Sequence, residues 1–313
     1  MSSNELISTV ITSYNKGDFL AEAIESALCQ KNVQQEIIVV NDGSTDATAE
    51  VMQQYRKHIK ALHQDNLGQA VARNRSIRES RGEYIAFLDG DDCWMDSKLE
   101  KQMNVFRQDK EISLVYSKRT IIKNNLDDRM SDQKQDHKRN VVLFRGYVLD
   151  DIIINNCIPF SSAVAKKKTL EQVGLFDESL RVADDYDLWL RLSKDHRIDY
   201  VDEELIKYRV CDNSIGGRVG NKSTICLDIL DRFIKKYYNG KYPRPSVIRL
   251  AISEKYNLLG DYHLAGSRHL NAFAAYSRSA QYDTFNWRRY YSIIRSFVPI
   301  SVVSRLRSFM SCG

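Results

Sequence analysis

Short apolar runs alternate with segments of helical periodicity over the first two thirds of the chain, and each apolar run closes in a polar turn. Residues 6–11 read as a strand, followed by Thr12-Ser13-Tyr14-Asn15-Lys16-Gly17 and then by Phe19, Leu20, Ala23, Ile24, Ala27 and Leu28 at helical spacing. Residues 36–40 repeat the scheme, ending in Asn41-Asp42-Gly43-Ser44-Thr45-Asp46 ahead of a helix over 49–55. A weaker strand at 61–64 leads into the glycine turn Asn66-Leu67-Gly68 and a helix bearing Arg73, Arg75 and Arg78. Tyr84-Ile85-Ala86-Phe87-Leu88 is apolar throughout, as a strand covered on both faces should be, and it breaks into Asp89-Gly90-Asp91-Asp92. This alternation predicts an α/β fold, a mostly parallel sheet with helices on both faces.

The pattern continues with a helix beginning near Asp96, strands at 112–117 and 161–166, a helix over 144–154, and strands at 198–201 and 205–210. Val182-Ala183-Asp184-Asp185-Tyr186-Asp187-Leu188-Trp189 opens an apolar-faced helix with two adjacent carboxylates. Residues 123–140 are nearly all charged or polar and read as a lid or a solvated insertion. After Ile215-Gly216-Gly217 the periodicity is purely helical, through Cys226, Ile229, Leu230, Phe233, Ile234 and Tyr237, past Pro243 and Pro245, to helices over 247–280. A boundary near 220 is expected, giving an α/β domain over 1–220 and a smaller helical region over 221–313. Within that region Tyr256, Leu259, Gly260, Ala272 and Tyr276 fit either a single tetratricopeptide-like hairpin or ordinary helix packing.

The acids at the strand ends change the picture from fold to chemistry. In open α/β sheets ligands sit at the carboxyl edge of the strands. Three carboxylates as close as Asp89, Asp91 and Asp92 repel unless a positive charge lies between them, so they read either as ligands of a hard divalent ion shared with phosphates or as an acidic turn capping the next helix. Asp184 and Asp185 admit the same two readings, because carboxylates are favoured at a helix start whether or not they do chemistry.

Composition narrows the partners. The chain has 313 residues, 43% hydrophobic and 28% charged, with a formal charge of +5 and a pI near 8.7. Mild basicity suits a nucleotide or an anionic lipid; no predicted sheet face concentrates basic residues with aromatics, so a nucleic-acid partner is not expected. Six cysteines without a CxxC pair read as reduced thiols in a cytoplasmic protein; Met1 runs into the first strand with no charged-then-apolar stretch, so secretion by a signal peptide is not expected, and no apolar run is long enough to span a bilayer.

Five separated stretches, Val10-Ile11-Thr12-Ser13-Tyr14-Asn15, Val39-Val40-Asn41-Asp42-Gly43-Ser44-Thr45-Asp46, Asn66-Leu67-Gly68 with Ala72-Arg73-Asn74, Leu88-Asp89-Gly90-Asp91-Asp92 and Asp184-Asp185-Tyr186-Asp187-Leu188-Trp189, stand in an order that resembles the family-2 nucleotide-sugar glycosyltransferases of GT-A (Rossmann-like) fold. The likeness runs from residue 7 to about 216. It implies that Thr12, Tyr14 and Asp42 hold the base and ribose, with Gly68 and Arg73 also serving the nucleotide and Asp89 facing the ribose. By the same resemblance Asp91 ligates a Mg²⁺ or Mn²⁺ bridging the diphosphate, Asp185 is the catalytic base, and Trp94 and Asp184 are candidate sugar or acceptor contacts. Asp184 replaces the family's glutamate, Asp96 stands where relatives often have proline, and Tyr208-Arg209-Val210-Cys211 places a thiol, a poor partner for Mg²⁺, where relatives have histidine; Asp212 or water would then complete the shell.

The activity so implied is inverting transfer of a sugar from a nucleotide-diphosphate donor, a UDP-sugar being the expected form, to a hydroxyl of a glycan or lipid-linked glycan in surface polysaccharide biosynthesis. The alternative is a non-catalytic nucleotide-sugar or glycan-binding module, which would need the acids of the site without turnover; the intact Asp91 and Asp185 speak against it. Residues 287–310 interleave Arg288, Arg289, Arg295, Arg305 and Arg307 with aromatic and aliphatic residues, a composition that fits either an anionic membrane surface on the inner face of the cell membrane or a helix packed on the protein with its arginines in solvent.

Overall fold

The computed structural model describes residues 5–123, 143–210 and 222–297. The chain forms two compact units, residues 1–152 with 156–214 and residues 153–155 with 215–313. The first is an α/β unit. Its strands are β1 (Leu6–Ser13), β2 (Gln34–Asp42), β3 (Lys60–Gln64), β4 (Tyr84–Asp89), β5 (Cys93–Trp94), β6 (Ile112–Ile122), β7 (Val164–Lys166) and β8 (Arg197–Arg209). They make one sheet in the order β3-β2-β1-β4-β7-β6-β8-β5, in which β7 and β5 run antiparallel to their neighbours and the remaining pairs are parallel. Because β2 and β3 lie on one side of β1 and β4 on the other, the strand order reverses at β1, the point at which open α/β sheets place a ligand crevice outside the strands' carboxyl ends.

The helices are α1 (Gly17–Leu28), α2 (Thr48–Gln54), α3 (Gln69–Arg78), α4 (Lys98–Gln108), α5 (Leu149–Ile154), α6 (Lys167–Val173) and α7 (Asp184–Ser193). Alternation along β4 sorts them between the two faces. Ala86 and Leu88 join the cluster formed by Leu20 and Ile24 of α1, Met52 of α2, and Leu99, Met103 and Phe106 of α4. Phe87 points the other way, its ring 6.0 Å from Trp189 of α7, 5.8 Å from Phe176 and 5.0 Å from Phe160. Burial on both faces is why this strand is an unbroken apolar run.

Three predicted elements differ. The helix expected over 144–154 begins only at Leu149, since Gly146 (φ +91°) turns the preceding backbone into a two-hydrogen-bond bridge with Ile198. The strand expected over 161–166 shrinks to β7, because Phe160–Ser162 close a 3₁₀ turn in which the Ser162 amide donates to the Pro159 carbonyl. The two strands expected at 198–210 are one, β8, whose pairing with β6 shifts register near Ser117 and Lys118. The domain boundary near 220 and most of the polar stretch 123–140 lie outside the described residues.

The second unit holds α8 (Lys222–Tyr237), α9 (Pro245–Ala265), α10 (His269–Tyr282) and α11 (Trp287–Arg295). Ser253 of α9 and Ser279 of α10 exchange buried hydrogen bonds of 2.8–3.0 Å, and Gly260 lies under the Tyr276 ring, where a β-carbon would be 2.4 Å from Cε1. Among the described residues no helix is long and apolar enough to cross a membrane. Tyr276 is enclosed and donates to Asp261 at 2.7 Å, so its ring has nowhere to retreat. Gly260→Val is therefore expected to destabilise the protein by about 1–3 kcal/mol through overpacking, read as a lowered thermal midpoint.

Candidate active site

The register of three strands assembles the site before any side-chain bond is considered. Thr12 pairs with Val40 on one side and with Asp89 on the other. Residues paired across a ladder share a face and residues two apart on a strand do so again, so Thr12, Asp42 and Asp89 all project toward the face covered by α3. Tyr14, just past β1, is exposed.

Asp42 is buried and accepts from the Leu67 and Gly68 amides at 2.9 Å each and from Gln64 Nε2 at 2.8 Å. It thereby fixes the turn into α3. That turn favours glycine because Gly68 has φ +99°, a conformation that side chains with a β-carbon rarely adopt; the exposed Arg181 side chain lies against it. The loops after β1 and β2 are stitched together in parallel: the Asn15 amide donates to Ser44 Oγ at 2.9 Å and Asn15 Oδ1 accepts from the Thr45 amide at 2.8 Å.

Arg73 ties this edge to α7. Its Nη2 donates to Asp89 Oδ1 at 2.9 Å and its Nη1 to Asp184 Oδ2 at 2.6 Å, while its guanidinium carbon sits 3.5 Å from the centre of the Phe160 ring. Gln69, one turn earlier on α3, donates to the other Asp184 oxygen at 2.6 Å. Asn74 completes the grip by exchanging hydrogen bonds of 2.9 Å with the Phe176 amide and carbonyl in the loop that precedes α7. The Arg73 and Asp184 side chains are only 5% and 1% exposed. Burial pushes the Asp184 and Asp89 carboxyls above the usual carboxylate range, and the Arg73 charge opposes that rise at both.

Asp184 and Asp185 part company at the helix start. Ala183 takes a left-handed conformation (φ +59°), uncommon for a residue with a β-carbon, immediately before α7. Consecutive helix positions are about 100° apart, so one acid faces inward to Arg73 and the next is left half-buried. Asp185 Oδ2 accepts from Asn156 Nδ2 at 2.9 Å, which orients the carboxylate while its other oxygen has no hydrogen bond from the described residues.

Past β4 the acids divide again. Asp91 is half-buried and ion-pairs with Lys16 from the loop after β1. Asp92 is fully enclosed: Ser161 Oγ donates to Oδ2 at 2.5 Å and the Arg209 amide to Oδ1 at 2.9 Å. Burial, with the charges of Asp91 and Asp89, pushes the Asp92 carboxyl well up. Ser161 Oγ also accepts from the Asp89 amide at 3.1 Å, and its carbonyl takes the Trp94 indole proton at 2.7 Å. Trp94 is itself buried, with Lys98 Nζ 4.0 Å over its ring. Arg209 Nε donates to the Asp91 carbonyl at 2.9 Å, and its guanidinium also pairs with Glu22.

The structure thus gathers Thr12, Tyr14, Asp42, Gly68, Arg73, Asp89, Asp91 and Asp185 along one edge, and encloses Asp184 and Trp94 behind it. Cys211 and Asp212 lie outside the described residues. Among the described residues no three His, Cys, Asp or Glu side chains cluster as a metal cage. Sequence reasoning passed over Lys16, Gln69, Asn156, Ser161, Arg181 and Arg209. Two of these left a signal: Gln69 stands one helical turn before Arg73 and therefore on the same side of α3, and Arg209 belongs to the stretch Tyr208-Arg209-Val210-Cys211, in which the sequence reading gave it no role.

The model of glycosyl transferase family 2 matches residues 8–171, more than half of the chain. The chain belongs to that family. This glycosyltransferase is 35% identical over 240 residues to an uncharacterized glycosyltransferase of Rickettsia typhi, covering 74% of this chain and 72% of the relative. It is 31% identical over 215 residues to TuaG of Bacillus subtilis, named for teichuronic acid biosynthesis, covering 67% and 81%. Its fold matches residues 1–349 of S. aureus TarS with a TM-score of 0.62 at 14% identity, covering 96% of this chain and 91% of the other. The mannosyltransferase PcManGT of Pyrobaculum calidifontis, solved with GDP-Man and Mn²⁺, matches with a TM-score of 0.64 at 14% identity, covering 99% and 81%. The fold of this glycosyltransferase is accordingly GT-A.

Arg73→Met in this glycosyltransferase leaves the buried Asp184 without its cation, which should cost about 3–5 kcal/mol at neutral pH. With Arg73 gone, the folded-state value of Asp184 rises further above the unfolded value of about 4. The penalty is then absent below that unfolded value, where the group is protonated in both states, and it grows as pH rises through the interval up to the folded value. Denaturant unfolding of wild type and variant should show a smaller difference at pH 4 than at pH 7.

Proposed function

We propose that this glycosyltransferase moves a sugar from a nucleotide-diphosphate donor, a UDP-sugar in the simplest case, to a hydroxyl of a glycan or lipid-linked glycan, with inversion at the anomeric carbon, in the building of a surface polysaccharide. The observation behind it is that Arg73 joins the acidic end of β4, through Asp89, to the start of α7, through Asp184, the neighbour of Asp185. The names of relatives agree in kind: TuaG for the glycan, TarS solved with UDP-GlcNAc and PcManGT with GDP-Man and Mn²⁺ for the donor class.

In this reading Thr12, the exposed Tyr14 and Asp42, with the Gly68 turn it holds, form the nucleoside side. Asp89, held by Arg73, meets the ribose. Asp91 would hold a Mg²⁺ or Mn²⁺ as one hard, half-buried oxygen donor, its charge already attracting the Lys16 ammonium. The ion would supply Lewis-acid stabilisation of the leaving diphosphate. Asp185 accepts the acceptor's proton as that oxygen attacks the anomeric carbon; the bond from that carbon to the phosphate oxygen breaks, and its electron pair leaves with the nucleoside diphosphate. Asp184 works through Arg73 and Gln69, and Trp94 through Ser161, so both shape the site from behind it. A lipid-linked acceptor would bring the protein to the inner face of the cell membrane as a peripheral protein.

Asp185→Asn keeps the size and the Asn156 contact but cannot take a proton. Nucleotide affinity by calorimetry should stay near wild type while transfer from a panel of UDP-sugars falls by about 10²- to 10⁴-fold. A variant retaining most of its transfer rate would move the base elsewhere. Asp91→Asn should weaken nucleoside-diphosphate binding in the presence of Mn²⁺ and change it little in chelator, so that the metal-dependent increment shrinks; an increment equal to that of wild type would remove Asp91 from the metal site.

A further inference from the structure

Helix α11 is built inside out. Arg289 is 5% exposed and points into its own unit, where it pairs with Glu254 of α9 and Asp283. Arg295, six residues on, also pairs within the unit, with Asp261 and the Tyr276 hydroxyl, while remaining partly exposed. Ser296 lies buried beside them and its carbonyl meets His269 Nδ1 at 2.7 Å. The outward face is apolar: Trp287, Tyr290, Ile294 and Phe297 recur at spacings of three and four and are 60%, 47%, 53% and 56% exposed. Phe297 continues the stripe onto α10, its ring 5.0 Å from that of Phe273, with Leu270 one turn away and 74% exposed. With Arg289 and Arg295 paired inside the unit and Arg288 left in solvent, the aromatic and aliphatic stripe remains to be covered.

We propose that this stripe docks the protein on an anionic lipid surface. The residue types are those of a bilayer interface, Trp and Tyr beside Ile and Phe. Charge selects lipid over a second copy of the chain. From Thr284 to Gly313 the sequence contains five arginines, at 288, 289, 295, 305 and 307, and no acidic residue. Arg289 and Arg295 are used inside the unit, but Arg288 is exposed beside Trp287, and Arg268, next to the His269 contact with the end of α11, is exposed as well. An isologous pair of such faces would set like charges against each other, whereas acidic headgroups would meet them. The docking deepens the peripheral-membrane part of the proposed function and rests on that reading only for its purpose, not for its physics.

The test uses the full chain without nucleotide or acceptor. Wild type and Ile294→Glu/Phe297→Glu are sedimented with vesicles of phosphatidylcholine alone and of phosphatidylcholine mixed with phosphatidylglycerol, at low and high salt. Wild type is expected to partition onto the mixed vesicles, less so at high salt, and the double variant to lose about tenfold or more of that partitioning with its thermal midpoint unchanged. Equal partitioning of the two proteins, absence of wild-type binding to the mixed vesicles, or a wild-type dimer dispersed by the variant without any vesicle binding would each overturn the proposal. Because both substitutions lie in the helical unit, nucleotide binding and transfer to a soluble acceptor should be unaffected, so the docking and the chemistry stand or fall separately.

Discussion

A guanidinium taken out of water is tolerable only when its charge is answered nearby, and Arg73 is answered twice. Asp89 closes β4 and Asp184 opens α7, two points far apart along the chain that the same cation holds within hydrogen-bond reach. Desolvation disfavours all three charges individually and the arrangement stabilises them only as a set. Everything that must be precise at the crevice follows from that mutual dependence: where β4 stops, how α3 is turned, and which way the first turn of α7 faces. The match to the family model ends at residue 171, so it covers the cation and one of its acids but not the other. Asp184 stands out in the sequence, but that it answers Arg73 is visible only in three dimensions.

The acids of this edge differ less in sequence than in circumstance. Asp92 is closed off behind Ser161 and the Arg209 amide, with its carboxyl pushed up by burial and by its neighbours, so it serves the loop's shape. Asp91, one residue earlier, stays within reach of solvent and of Lys16. The same division separates Asp184 from Asp185. In both pairs one carboxylate is committed to architecture, and its rigidity is what keeps the other available.

Strand ends were legible because β1, β2 and β4 are apolar runs that stop abruptly, and period-two alternation then fixes which face each terminal acid takes. The 3₁₀ turn at Phe160–Ser162 was not, since a Ser-Ser pair before an apolar stretch reads equally as the start of a strand; with it went Ser161, which bonds to Asp89, Asp92 and Trp94 at once. Two-residue β5 is too short for any periodicity to register. Helical periodicity revealed that the tail is amphipathic but not which side faces in, because arginines are ordinarily placed in water. Only the carboxylates of Glu254 and Asp261 from α9 and of Asp283 just past α10 reverse that assignment for Arg289 and Arg295.

The bonds between Asn15 and the pair Ser44 and Thr45 make the turns after β1 and β2 a single mechanical piece. Each supplies the other's missing hydrogen-bond partners, so neither turn is an independent module. A loop graft between members of the family that exchanged one turn alone would orphan backbone donors on both. Diversification of this wall of the crevice is therefore constrained to proceed by paired exchange, with residues near 15 and near 44 inherited together even though a whole helix and strand separate them in the chain.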